Sequence, residues 1–154
     1  MNEHIYFFDK YCEDVTSYAE RVKHSLSNPH VVALYPNGLF FGTHLSQLLN
    51  CPLSLIKIDK NKAEWVINLT KDKKGLFPQL IVAADLFDSE KNIFEYIKKL
   101  PEFELNPDYQ NVCLYGYSGT KGISPLNQQV FERVIFPWQM KKEKENSLDV
   151  IPTL

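Results

Sequence analysis

The sequence predicts a single α/β domain, a mostly parallel, twisted sheet flanked by helices. Three observations carry that expectation. Residues 31–35 (VVALY) and 80–84 (LIVAA) are short, wholly apolar runs, as expected of strands buried on both faces. Stretches with apolar residues at helical spacing separate such runs. Strands alternating with helices imply parallel pairing through right-handed crossovers. At 154 residues the chain has the size of one domain with a real core.

In chain order, Asp9 is placed to cap a helix running to about Ser27, with Val15, Tyr18, Ala19, Val22 and Leu26 forming one stripe. Asn28-Pro29 ends it. After strand 31–35, Pro36-Asn37-Gly38 turns the chain into a helix over 39–49. Residues 53–59 read as a strand that becomes half exposed. The lysine-rich stretch around Trp65 reads as a hairpin or a long mobile loop, closed by residues 71–75. Strand 80–84 is followed by a helix that buries Ile93, Tyr96, Ile97 and Leu100, and residues 111–117 (NVCLYGY) form the next strand. The domain is expected to cover residues 1–140. The charged stretch 141–154 is a frayed end or a dimer arm.

Bulk properties narrow the function. A net charge of −2 and a pI near 6.1 give no global field to recruit nucleic acid. Three scattered cysteines, Cys12, Cys51 and Cys113, argue against a disulfide framework and for a reducing, cytoplasmic setting. The opening MNEHIYFFDKYCED has no basic stretch leading into an apolar core, and no run approaches the ~20 apolar residues of a membrane span. Neither a secretory leader nor a membrane partner is expected. His4, His24, His30 and His44 lack metal-ligand spacing and are expected in solvated or capping roles.

In parallel sheets ligands bind at the carboxyl ends of strands. Two loops leave those ends: residues 35–38 (YPNG) and 85–92 (DLFDSEKN). The order VVALYPNGLFFGTHLSQLL, LIVAADLFDSEKNIFEYI, NVCLYGY and FPWQM resembles the type I phosphoribosyltransferases, nearest the small bacterial xanthine-guanine and hypoxanthine enzymes. The resemblance covers nearly the whole chain. It implies that fold with a small C-terminal hood, a nucleotide or phosphoribosyl pyrophosphate as ligand, Mg2+ if the chain is active, and a possible homodimer.

It also implies roles by position. Two acids before the loop face the ribose hydroxyls and the metal; Ala84 stands in the first place and Asp85 in the second. Asp88 matches the proton acceptor for the purine. The loop grips the 5′-phosphate at a helix N-terminus, where backbone amides and the dipole favour an anion. Asp88, Ser89, Glu90, Lys91 and Asn92 occupy it. Glu90 replaces a glycine, so it brings a carboxylate that repels phosphate by several kcal/mol if it points inward, on the order expected at an effective dielectric near 20. It also removes glycine's freedom at positive φ. Asn92 replaces a threonine but can still donate a hydrogen bond.

Asn37 and Gly38 match the pyrophosphate turn, with Pro36 where a charged residue is usual. Tyr117 stands where a lysine reads the base, Lys121 lies a few residues on, and Arg133 with Val134 stands where an aromatic stacks on it. Trp138 reads as packing of the hood onto the core. Four departures in separate loops lead to the expectation of a degraded phosphoribosyl pyrophosphate site, with weak or no transferase activity. The alternative is an active enzyme joining a purine-type base to phosphoribosyl pyrophosphate.

Overall fold

The computed structural model describes residues 3–70, 78–86, 93–116, 123–128 and 133–139. Its elements run β1 (Glu3–Ile5), α1 (Phe8–Ser25), β2 (Pro29–Leu34), α2 (Leu39–Leu49), β3 (Leu53–Asp59), β4 (Lys62–Ile67) and β5 (Gln79–Leu86). Then follow α3 (Ile93–Ile97), α4 (Pro101–Leu105), β6 (Gln110–Gly116), β7 (Ile123–Gln128) and β8 (Arg133–Ile135). Among the described residues the main sheet has the order β4-β3-β2-β5-β6-β7, and β1 pairs with β8 in a separate two-stranded ribbon. Every pairing of the main sheet is parallel except β3 with β4. The expected fold class is the one observed.

Alternation along β5 divides the core. Ile81 and Ala83 join a cluster under α1 and α2, and Leu80 and Val82 join one on the opposite face with Phe94, Ile97 and Phe103. The helix α1 buries Val15, Tyr18, Ala19 and Val22 of the expected stripe and adds Tyr11, but it ends at Ser25, two residues early, with Leu26 as its half-buried C-cap. Its N-cap is Phe7, with no side-chain cap, and Asp9 sits one step inside the first turn, where a negative charge complements the helix dipole. The bounds of α2 are those expected. Its Gly42 lets the helix lie directly on β2, since a Cβ there would stand 2.4 Å from the Ala33 Cβ.

The lysine-rich stretch resolves into a β3–β4 hairpin. Its turn places Lys60 and Asn61 at φ of 50° and 62°, the positive pair that tight antiparallel connections require. The single helix expected after residue 92 is two short ones. Pro101 cannot continue a helix but suits a first turn, so α3 ends at Ile97 and α4 begins at Pro101. Ile97 is buried as expected and Phe94 joins it, whereas Ile93, Tyr96 and Leu100 are only partly buried against the same cluster. Residues 71–75, part of the lysine-rich stretch, and the stretch 141–154 lie outside the described residues.

His30 departs from its expected solvated or capping role. It is 2% exposed and shares a 2.7 Å hydrogen bond between Nε2 and Ser54 Oγ. That hydroxyl also accepts the Leu69 amide at 2.9 Å. Burial lowers the pKa of His30 to about 4, so the ring is neutral at physiological pH. Near this point, Glu102 accepts from Trp65 Nε1 and Asn68 Nδ2, each at 3.2 Å, which ties the end of the hairpin to α4.

Candidate functional site

The candidate site lies where β2 and β5 end side by side. After β2 the chain passes through a cis Tyr35-Pro36 bond and turns, with the Gly38 amide donating to the Pro36 carbonyl at 2.9 Å. The Asp85 amide donates to the Asn37 carbonyl at 2.8 Å. Gly38 fills the junction: a Cβ would stand 2.5 Å from the Ala83 carbonyl oxygen and 2.8 Å from that of Leu34. Any side chain would therefore collide with backbone that has no freedom to yield. Of the two residues expected to meet pyrophosphate, Asn37 is exposed. Gly38 is buried, and its N–H is already engaged within the turn.

Asp85 shares its face of β5 with Ile81 and Ala83 and points toward α1 and the hood. It is 6% exposed, and its Oδ1 has no hydrogen-bond partner among the described residues. Burial raises its pKa to about 7, opposed by a hydrogen bond from the Trp138 side chain. Its proximity in turn helps to raise the pKa of Tyr11. An environment of this kind favours the neutral acid. Ala84 is fully buried on the other face.

The expected contact of Asp85 with ribose hydroxyls and Mg2+ therefore meets a structural obstacle. Mg2+ is held by ionised oxygen ligands with several waters, whereas this carboxyl is enclosed, half neutral near pH 7 and covered by an indole. Among the described residues, no cluster of three His, Cys, Asp or Glu side chains could hold a metal ion. Among the described residues, the donors do not make up a protein-held Mg2+ site.

The base-reading positions are separated by role. Val134 is 7% exposed and belongs to the core, so its side chain packs rather than lining an open pocket. Arg133, on the β1–β8 ribbon, reaches Glu3 at 3.4 Å with both side chains substantially exposed. Asp88, Ser89, Glu90, Lys91, Asn92, Tyr117 and Lys121 lie outside the described residues. Trp138 takes the packing role expected of it, stacked between Phe40 and Phe136 with ring centroids 5.1 and 5.4 Å away. What sequence reasoning missed is the direction of Asp85. The signal was present, since counting in twos from Ile81 and Ala83 places residue 85 on the helix-covered face.

No protein-family model matches the chain, and no curated protein sequence matches it. Solved structures do. A Helicobacter pylori xanthine-guanine-hypoxanthine phosphoribosyltransferase superposes with a TM-score of 0.73 at 14% identity, over 95% of this chain and 98% of that one. The fold is that of the type I phosphoribosyltransferases. A purine phosphoribosyltransferase from Pyrococcus horikoshii matches at a TM-score of 0.62 and 19% identity, covering 100% of this chain and 98% of the other. A hypothetical protein from Neisseria gonorrhoeae with bound ppGpp matches at 0.65 and 16%, over 96% of both chains. Among the described residues, no helix of this phosphoribosyltransferase-like chain is long and apolar enough to cross a membrane.

Proposed function

We propose that this protein is a phosphoribosyltransferase-like binder of a nucleotide or phosphate ligand with weak or no transferase activity. One observation carries the reading. At the end of β5, the pair of acids that the fold's enzymes are expected to present is reduced to a buried alanine and an enclosed, 6% exposed Asp85. Transfer to a base develops positive charge on the ribose and negative charge on the departing pyrophosphate. Only groups placed against those charges lower the barrier. The described strand end offers none, and any Mg2+ would arrive with the ligand's own phosphates.

Binding makes smaller demands. An exposed turn at Asn37 and the sequence at Ser89 and Asn92 supply donors suited to a phosphate, and the structural neighbour with bound ppGpp supports a nucleotide as the ligand class. Calorimetric titration with phosphoribosyl pyrophosphate and Mg2+ is expected to give a dissociation constant far weaker than micromolar. Sub-micromolar binding overturns the reading. Glu90→Gly with Asn92→Thr should tighten binding; no change would place the ligand elsewhere.

The alternative, an active enzyme joining a purine-type base to phosphoribosyl pyrophosphate, is favoured by the intact Gly38 junction between the two loops. Release of pyrophosphate on mixing the protein with guanine, hypoxanthine or xanthine, phosphoribosyl pyrophosphate and Mg2+ would establish it.

A further inference from the structure

Asp14 is on α1, outside the candidate site, and its side chain is only 10% exposed. Three partners meet it there. Lys10 pairs with Oδ1 from the preceding turn of α1. The Tyr6 hydroxyl, just after β1, donates to Oδ2 at 2.5 Å. Asn127 Nδ2, on β7, donates to the same oxygen at 2.9 Å and to the Leu114 carbonyl of β6 at 3.1 Å. Burial alone would raise the pKa of Asp14, but the hydrogen bonds from Lys10, Tyr6 and Asn127 outweigh it and hold the carboxyl below its usual range. The group is thus an ionised, satisfied node, and a polar network of that kind fixes one arrangement of the elements it joins.

Tyr6 is where the node meets the hood. It is fully buried, and its amide donates to the Ile135 carbonyl of β8 at 2.9 Å. Its ring lies edge-on to Tyr115 at 5.0 Å and to Phe136 at 6.2 Å. Phe136 stacks on Trp138, whose side chain hydrogen-bonds to Asp85. Contacts therefore run from Asp14 through Tyr6 and residues 135–138 to the end of β5. Asn127 carries the same carboxylate to the carboxyl halves of β6 and β7.

From this geometry we infer that Asp14 is a positioning residue: it holds the β1–β8 ribbon and residues 136–138 against the strand ends, and so sets how tightly the base of a nucleotide is bound. The inference rests on the proposed nucleotide-binding function, and Asp14 itself touches no ligand. The base-reading positions Arg133 and Val134 belong to β8, so they move with the ribbon. The 36–38 turn is fastened separately, by Gly38 against β2 and β5. Loosening the node should therefore act on the base and spare the phosphate.

The test compares guanosine monophosphate with ribose 5-phosphate, which lacks the base, by calorimetric titration of the full chain. The unaltered protein is expected to bind the nucleotide more tightly. Tyr6→Phe deletes one hydroxyl, keeps the ring contacts and cuts the bond from Asp14 to the hood. It should weaken the nucleotide at least about fivefold, the order of one lost hydrogen bond, and leave ribose 5-phosphate unchanged. Asp14→Ala should do the same more strongly. Asp14→Asn can set its amide oxygen where Oδ2 stood and turn its amide toward Lys10, so it should keep the preference. Hydrogen exchange should rise at residues 4–6 and 133–135 in Tyr6→Phe and Asp14→Ala, with 31–34 and 80–84 still protected. If Asp14→Ala unfolds by circular dichroism, Tyr6→Phe carries the test. Equal binding of the two ligands by the unaltered protein overturns the inference and leaves a phosphate ligand standing. So does a Tyr6→Phe protein that keeps the preference, or one that loses both ligands alike. If the unaltered protein binds neither, the proposed function fails, and unchanged exchange in the ribbon then overturns the positioning role by itself.

Discussion

Two buried titratable groups stand at opposite ends of the sheet and are treated in opposite ways. At the amino end, His30 is enclosed with a partner: Ser54 meets its ring, and the Leu69 amide meets Ser54. At the carboxyl end, Asp85 is enclosed with one carboxyl oxygen unmet. Burying a polar group costs little once it is hydrogen-bonded and a good deal when it is not. The His30 joint at the amino end is thus satisfied, while Asp85 Oδ1, unmet among the described residues, sits at the end where this fold places ligands.

The two groups also tilt stability with pH in opposite senses. Asp85 has a raised folded-state pKa, from an ordinary 3.8 to about 7. The stability associated with it is complete below pH 4 and is lost as pH rises through 7. The loss amounts to about 4 kcal/mol, the largest effect expected here. Between pH 4 and 6.5 this loss runs against the gain from His30, so Asp85→Asn should leave stability rising with pH over that range, measured as urea midpoints from pH 4 to pH 8. An unchanged profile would place the charge elsewhere.

His30 has a lowered folded-state pKa, from 6.5 to about 4. The unfolded chain therefore takes up its proton first. Stability is lost as pH falls from 6.5 toward 4, by about 3 kcal/mol. His30→Leu should unmask the opposite slope of Asp85, with stability falling as pH rises from 4 to 7, so the paired variants separate the two ends by sign.

Smaller effects sharpen the same contrast. Gly38→Ala forces a Cβ against two carbonyl oxygens at the carboxyl end and should cost about 2 kcal/mol by thermal or urea unfolding, as overpacking typically does. Glu102→Ala, at the amino-end joint, removes the acceptor of Trp65 and Asn68. It should cost about 1 kcal/mol and increase hydrogen exchange at residues 65–69 without altering the pH response of either variant.

Much of this arrangement was legible in the sequence. Periodicity placed α2 at 39–49 and β3 at 53–59, because an amphipathic helix and a strand with turn residues on both sides leave strong local patterns. The second short helix, α4, was not anticipated: the apolar stripe ended at Leu100, and it is Pro101 that stops one helix and starts another. The β1–β8 ribbon was not legible: three residues at each end of the chain pair across some 130 positions, held by packing rather than by local preference. Nor was the role of His30 visible, since its partner, Ser54, comes from β3 and is itself met by the amide of residue 69. For Asp85 the identity of the residue suggested a ligand contact, but the pleat of β5 decides where its carboxyl goes.

Gly38 leaves peptide groups from β2, the 36–38 turn and β5 in direct contact, with no side chain between them to compress or rotate. The 36–38 turn and the end of β5 are thereby fastened like a weld rather than a hinge. A force applied to either would be transmitted undamped to the other, so a ligand seated on one should register in the geometry of both.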